Sequence, residues 1–533
     1  MGLRAAKLIA GGIAITLFAF VLPPPAAAQR HGGTLRIYNS SNPPSASPHE
    51  ETTIAVIMPF AAVYNNLVRY DPIKPHDGLE TIIPELATHW AWDATRTKLT
   101  FKLRSDVRWH DGTPFTGKDV QCTFHRLNGK EPEYLRRNPR GIWYEHLTEV
   151  SLNGDYEVTF NLSQPQPSLL AMLASGYTPV YPCHVSARDM RINPIGTGPF
   201  KFVEFKSNES IRLAKNSDYW NEGLPYLDAI EWRIVPSRST RILAFVAGEF
   251  DLTQTADITV PLLSDVKKNA PDAICALLPT NVTTHMLINR ERPPFDNPEL
   301  RRAMILSLDR QAFIDILTLG KASLAVNMMP PPEGNWGMPL EELRKLPSYG
   351  DPAVQREAAR KIMERLGYGP NRKLKVKVTT RDFNTFRDAA IILVDQLDEI
   401  GFDAELDVVE SSLWYNRLFK KDYSVALNLA GAGIDDPDAV LKMGFACKSE
   451  ANFSQYCNPE VDTLLELQSQ EADLAKRTAI VWKIERILVE DVARPIIFHG
   501  KQSTCWHPHL KGHVQHENSI YNNWRFDQAW LDK

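Results

Sequence analysis

The sequence predicts an α/β protein that carries a second, β-rich part. Two observations lead there. Residues 374–429 run strand, helix, strand, helix, strand, an order that calls for parallel strands joined by crossover helices. Residues 95–235 instead show short segments with apolar residues at every second position, the period of a half-buried sheet. At 533 residues, the chain has room for about three domains of ordinary size.

The elements follow in chain order. Arg4 and Lys7 precede an uncharged, mostly apolar run from Leu8 to Leu22. That run is short of the ~20 residues that span a bilayer. Ala26, Ala27 and Ala28 supply small residues at a cleavage point, so residues 1–28 read as a Sec-type signal peptide cut between Ala28 and Gln29. No Arg-Arg pair precedes the run and no Cys follows it, which argues against twin-arginine export and a lipid anchor.

In the β-rich part Leu99, Phe101 and Leu103 alternate with polar residues. Tyr156, Val158, Phe160 and Leu162 do the same after the turn at Asn153, Gly154 and Asp155. Residues 211–214 and 230–235 continue the pattern. In the α/β part, residues 374–378, 402–409 and 423–429 are the strands. Ala389, Leu393, Leu397 and Ile400 mark one face of the first helix, and residues 413–419 form a short second one. Ile480, Ile484, Ile487 and Leu488 mark a later helix that stops before Pro495. Ligands of open α/β sheets collect beyond the carboxyl ends of the strands, which here points to the loop 430–438.

Charge and motifs narrow the function. Sixty basic against 64 acidic residues give a net charge of −4, so no basic footprint for nucleic acid is expected. Six cysteines are too few for a disulfide scaffold. Cys447 and Cys457 flank one loop and are the best pair to bridge; Cys122, Cys183, Cys275 and Cys505 stay open between thiols and bridges. Neither G-x-S-x-G, H-E-x-x-H nor a Walker A pattern occurs. Ser264 and Lys267 fit S-x-x-K without its partner motifs. No enzyme and no cofactor are expected.

The segment LTFKLRSDVRWHDGTPFTGKDV (99–120) resembles the hallmark of the family 5 extracellular solute-binding proteins of ABC importers. PIGTGPFKFVEF (194–205), NSDYWNEGLPYLDAIEWRIVP (216–236), LAFVAGEFDL (243–252), INRERPPFDNPELRRAMILSLDR (288–310), DPAVQREAARKIMERLGYG (351–369) and NFSQYCNPEVDTLLELQSQ (452–470) follow in the family's order. The resemblance implies a two-lobed periplasmic-binding-protein clamp of the Venus-flytrap type with an added subdomain. Residues 29–71, 196–284 and 500–533 would form lobe 1, residues 72–195 the β-rich subdomain attached to it, and residues 285–499 lobe 2, with hinge crossings near 285 and 499. It further implies a periplasmic monomer that captures a peptide or peptide-like solute and docks on a membrane permease pair served by an ATPase. The same clamp with an opine, oligosaccharide or metal chelate is the alternative, and a periplasmic hydrolase a more distant one.

Candidate binding residues follow from position and type. Gly431 and Gly433 would let backbone approach a ligand. The resemblance places the amine-binding aspartate of dipeptide-binding relatives at Gly433, with Asp435 as a substitute two residues on. Asp436 precedes Pro437 and also fits a helix cap. Arg381 follows a strand and could grip a carboxylate. Trp414 and Tyr415 could stack on a solute at the cleft edge. Asn39, Ser40 and Ser41 end the first mature strand, where relatives touch ligand. Tyr521, Asn522, Asn523 and Trp524 are weaker candidates. His507, His509, His513 and His516 crowd Cys505, but their spacing lacks that of a structural zinc site, so no metal is assigned.

Overall fold

The computed structural model describes residues 1–2, 29–131, 133, 135–255, 257–518 and 520–533. The expected signal peptide lies outside the described residues apart from Met1 and Gly2.

Three main sheets organise the chain. In the first, strand Thr34–Asn39 pairs parallel with Ala229–Ile234, followed antiparallel by Ser210–Lys215 and Phe200–Lys206. The second is a four-stranded antiparallel sheet in the order Ala87–Trp92, Lys98–Leu103, Glu157–Leu162, Leu147–Leu152. The alternation predicted there is realised. Leu99 lies opposite Phe160 and Phe101 opposite Val158, all fully buried, while Thr100 and Thr159 meet on the other face through hydroxyls 2.8 Å apart. Helix Gly117–Leu127 covers the apolar face, and Cys122 ties it to Cys183.

The third sheet has five strands, ordered Phe402–Val409, Leu374–Arg381, Val425–Ala430, Ile274–Ile288, Ile496–Trp506. The first three are parallel, as crossover connections demand. Helix Asn384–Asp398 buries Ala389, Leu393 and Leu397 against them. The last two strands are antiparallel and unusually long, and they pass beyond the sheet. Ile274–Pro279 pairs with Lys501–Trp506, and Thr283–His285 with Ile496–His499; the register shifts between the two stretches. Cys275 and Cys505 are directly opposite and bonded at the far end. Cys447–Cys457 is the third disulfide, the pairing expected from the sequence. The four cysteines left open form the other two bridges.

The turn with Gly196 and Gly198 has a packing reason. A Cβ at either glycine would fall on the backbone of Val63. His110 holds the same turn from the other side: Gly196 N–H donates to Nδ1 at 3.3 Å, and Nε2 donates to the Gly198 carbonyl at 3.0 Å. Burial lowers its pKa to about 4, so it serves there as the neutral ring.

The antiparallel sheet shares one continuous core with helices Pro459–Gln470 and Leu474–Glu490. A buried ionic cluster seals this joint. The Lys442 side chain is 3% exposed, and its ammonium lies 2.8 Å from Glu466 and 3.0 Å from His146, with Glu145 as a further partner. Burial opposes its charge, but Asp438 and Glu145 outweigh that and hold its pKa above the ordinary lysine value. Among the described residues no helix is long and apolar enough to cross a membrane.

Candidate functional site

Beside the crossing strands lies a cavity of about 360 Å³. Its back wall is the strand pair itself, through Thr280, Val282, Thr284, Phe498 and Gln502. One flank is the segment Ile258–Leu262 at the start of helix Val260–Asn269. The opposite flank comes from the parallel strands and their helices: Arg381, Phe383, Phe386, Tyr415 and Leu429. Apolar side chains dominate the lining, as in pockets that enclose small molecules.

Arg381 is the most informative group. It is the last residue of strand Leu374–Arg381 and only 4% exposed. Its Nε donates to Ser411 Oγ at 3.1 Å, and its guanidinium lies 5.6 Å from the Phe383 ring and 5.7 Å from the Phe386 ring. Burial lowers its pKa, with Tyr415, Tyr521 and Glu410 acting against that at longer range. Among the described residues no carboxylate forms an ion pair with it. A guanidinium cannot shed its proton here, so the cavity holds a fixed positive charge without a direct ion-pair partner among the described residues.

Two other cations reach the cavity and are already engaged. Arg238 Nη1 lies 3.6 Å from Asp388, and Lys501 lies 2.6 Å from Glu333. Among the described residues, the enclosed Thr255 hydroxyl, 1% exposed, and the Gln502 amide nitrogen, 4% exposed, find no hydrogen-bond partner.

Of the residues expected from the sequence, Arg381 and Tyr415 line this cavity, and so does Tyr521 from the weaker group. Trp414, expected at the cleft edge, is instead fully buried. It begins helix Trp414–Phe419 and points at the sheet, donating to Asn428 Oδ1 at 3.2 Å behind Phe386. Asn39 is spent on structure, donating to the Ala55 carbonyl and accepting from Gln254. Ser40 N–H donates to the same glutamine, and Ser41 Oγ is buried away from the cavity lining with no hydrogen-bond partner among the described residues. Gly431 marks a close backbone approach to Asn281. Gly433, at φ +80°, is roofed by Tyr521, whose ring carbon would sit 3.0 Å from a Cβ.

The two aspartates turn elsewhere. Asp435 accepts from Asn335 N–H at 3.0 Å, and burial lifts its carboxyl to about 7. Asp436 makes a two-point ion pair with Arg477, at 2.8 and 3.0 Å, and accepts from Asp438 N–H, the cap expected before Pro437. Neither lines the cavity. His507 and His509 are likewise engaged, with the Phe245 carbonyl and with Asp251, each at 2.8 Å. The lining that sequence reasoning missed, Thr255, the 258–262 segment and Gln502, carries no motif. Only the expected crossing near 499 pointed towards Gln502.

Residues 81–452 match the family model described as bacterial extracellular solute-binding proteins, family 5, middle region. The chain belongs to this family. A relative within it, di/tripeptide-binding protein 1 of Pseudomonas aeruginosa, is 25% identical over 91% of this chain and 92% of its own length. Among solved structures, the ABC transporter-associated periplasmic binding protein DppA from Helicobacter pylori, in complex with peptide STSA, superimposes with a TM-score of 0.82. It is 23% identical and the match covers 95% of this chain and 99% of that one. The binding protein AgaA of A. tumefacien R10, in complex with agropinic acid, gives 0.81 at 20% identity over 94% and 99%. The fold is therefore the two-lobed clamp of family 5.

Proposed function

We propose that the protein is the periplasmic solute-binding component of an ABC importer, and that it captures a small carboxylate-bearing, peptide-like solute in the cavity beside the crossing strands. The observation that carries this is Arg381, a buried cation with no carboxylate of its own inside an apolar pocket. A solute carboxylate would supply the charge-assisted bidentate bond the guanidinium lacks. We take residues 29–71, 196–284 and 500–533 as lobe 1, 72–195 as its subdomain and 285–499 as lobe 2. The strands Ile274–Ile288 and Ile496–Trp506 then form the hinge, and closure around solute presents the docked form to the permease pair. The protein acts as a monomeric carrier without chemistry of its own. Family membership and the signal-like N-terminus support the periplasmic assignment.

A non-peptide carboxylate is the second reading. It is favoured by Asp435 and Asp436, which face Asn335 and Arg477 rather than the cavity, and it fits the relative that holds agropinic acid. Titration calorimetry of Arg381→Met against the wild-type protein tests both readings. Loss of a buried charge-assisted bond should weaken a carboxylate ligand by about 100-fold. Unchanged affinity would remove Arg381 from the site and carboxylate capture with it.

A further inference from the structure

The charged lining of the cavity is one-sided: Arg238, Arg381 and Lys501 stand against a single carboxylate among the described residues. Among the described residues, its enclosed side-chain atoms without a hydrogen bond are donors or can act as donors, namely the Gln502 amide nitrogen, the Thr255 hydroxyl and Nη2 of Arg238, whose Nε lies 3.7 Å from Asp257. Among the described residues of the lining, Asp388 is the one carboxylate. It faces Arg238 at 3.6 Å and its side chain is 45% exposed, so its charge is both paired and screened by solvent.

We infer that the cavity selects solutes that carry a carboxylate and further acceptors but no free ammonium group, such as N-acylated hydrophobic peptides or acyl carboxylates. The inference rests on the capture of a carboxylate proposed above. An ammonium brought into this space loses its water and finds no unpaired carboxylate among the described lining residues, while Arg381 repels it. Burying a charge without a partner is among the costliest events in an interior. An N-acyl carbonyl has the opposite character. It carries no charge to desolvate, and it adds apolar surface for Phe383, Phe386 and Leu429.

The test is a panel of hydrophobic dipeptides, each offered to the mature protein in three forms: free, N-acetylated, and N-acetylated with a C-terminal amide. Affinities come from calorimetry. The N-acetyl acids should bind at least about tenfold tighter than their free counterparts, and the amides should bind weakly or not at all. Free dipeptides that bind as tightly as the N-acetyl acids would overturn this inference and leave carboxylate capture standing. Amides that bind as tightly as the acids would overturn carboxylate capture itself, and so would a panel in which nothing binds. A variant supplies the converse. Gln502→Glu places a carboxylate among the donors, and the preference should move towards the free dipeptides. An unmoved preference in a folded variant would show that lining charge does not set the selection.

Discussion

Glu485 offers a stability experiment with a defined pH signature. It sits on helix Leu474–Glu490 with 0% exposure. Its Oε1 accepts from Met328 N–H at 2.8 Å, while Oε2 has no hydrogen-bond partner among the described residues. Burial raises its pKa from 4.5 to about 8, against the lowering effect of the backbone N–H groups of Met328 and Asn327. Below the unfolded value both states carry the proton, and the group contributes nothing. Between 4.5 and about 8 the unfolded chain releases the proton and the folded chain keeps it, so stability falls as pH rises. Each pH unit across that interval costs about 1.4 kcal/mol. The whole interval therefore costs about 4–5 kcal/mol before local relaxation on ionisation takes part of it back. Glu485→Gln keeps the acceptor for Met328 and cannot ionise. The variant should match wild type near pH 4 and exceed it by about 2–4 kcal/mol near pH 8.5. Urea unfolding followed by tryptophan fluorescence at both pH values reads this directly. A difference that is the same at both, or a variant weaker at high pH, would refute the reasoning.

Lys442→Met removes the cation from Glu145, Glu466 and His146. The carboxylates it leaves are 30% and 38% exposed and regain water, so the loss should be about 1–3 kcal/mol rather than the larger value for a sealed pair. The Glu466 pKa lies below the ordinary glutamate range, so its share of that stabilisation is full above the ordinary value and should fade as pH falls from there towards the lowered folded value, narrowing the gap between variant and wild type in acid unfolding curves. Asp435→Asn should leave affinity for a carboxylate ligand within about twofold, as measured by calorimetry, because its side chain holds the Asn335 loop and not the cavity; a large loss would return it to the site.

What could be read from the sequence was local. The strands of the third sheet and helix Asn384–Asp398 announce themselves through apolar spacing, because burial on one face repeats with the backbone period. The cap at Asp436 was legible for the same reason: Asp before Pro acts over two residues. Its ion pair was not, because Arg477 lies 41 positions away. The direction of Trp414 was equally hidden. Whether the first residue of a short helix faces cleft or sheet depends on its rotation, and Asn428 and Phe386 decide that. Arg381 could be named as a carboxylate grip, yet its isolation from acidic partners is a property of the assembled walls. Thr255 and Gln502 show the same limit, since a polar residue in a strand or turn is unremarked until its neighbours withhold a partner.

The bond between Cys275 and Cys505 gives the crossing strands a mechanical character. Fastened at one end and woven into the five-stranded sheet at the other, the pair cannot slide or splay independently. Bending is left to the intervening register break around 280–282. If these strands are the proposed hinge, a ribbon fixed this way would turn opening and closing into a single arc instead of a loose swing. The same break lies in the wall of the cavity, through Thr280 and Val282, so under the proposed hinge the point that flexes would also be a surface the solute touches.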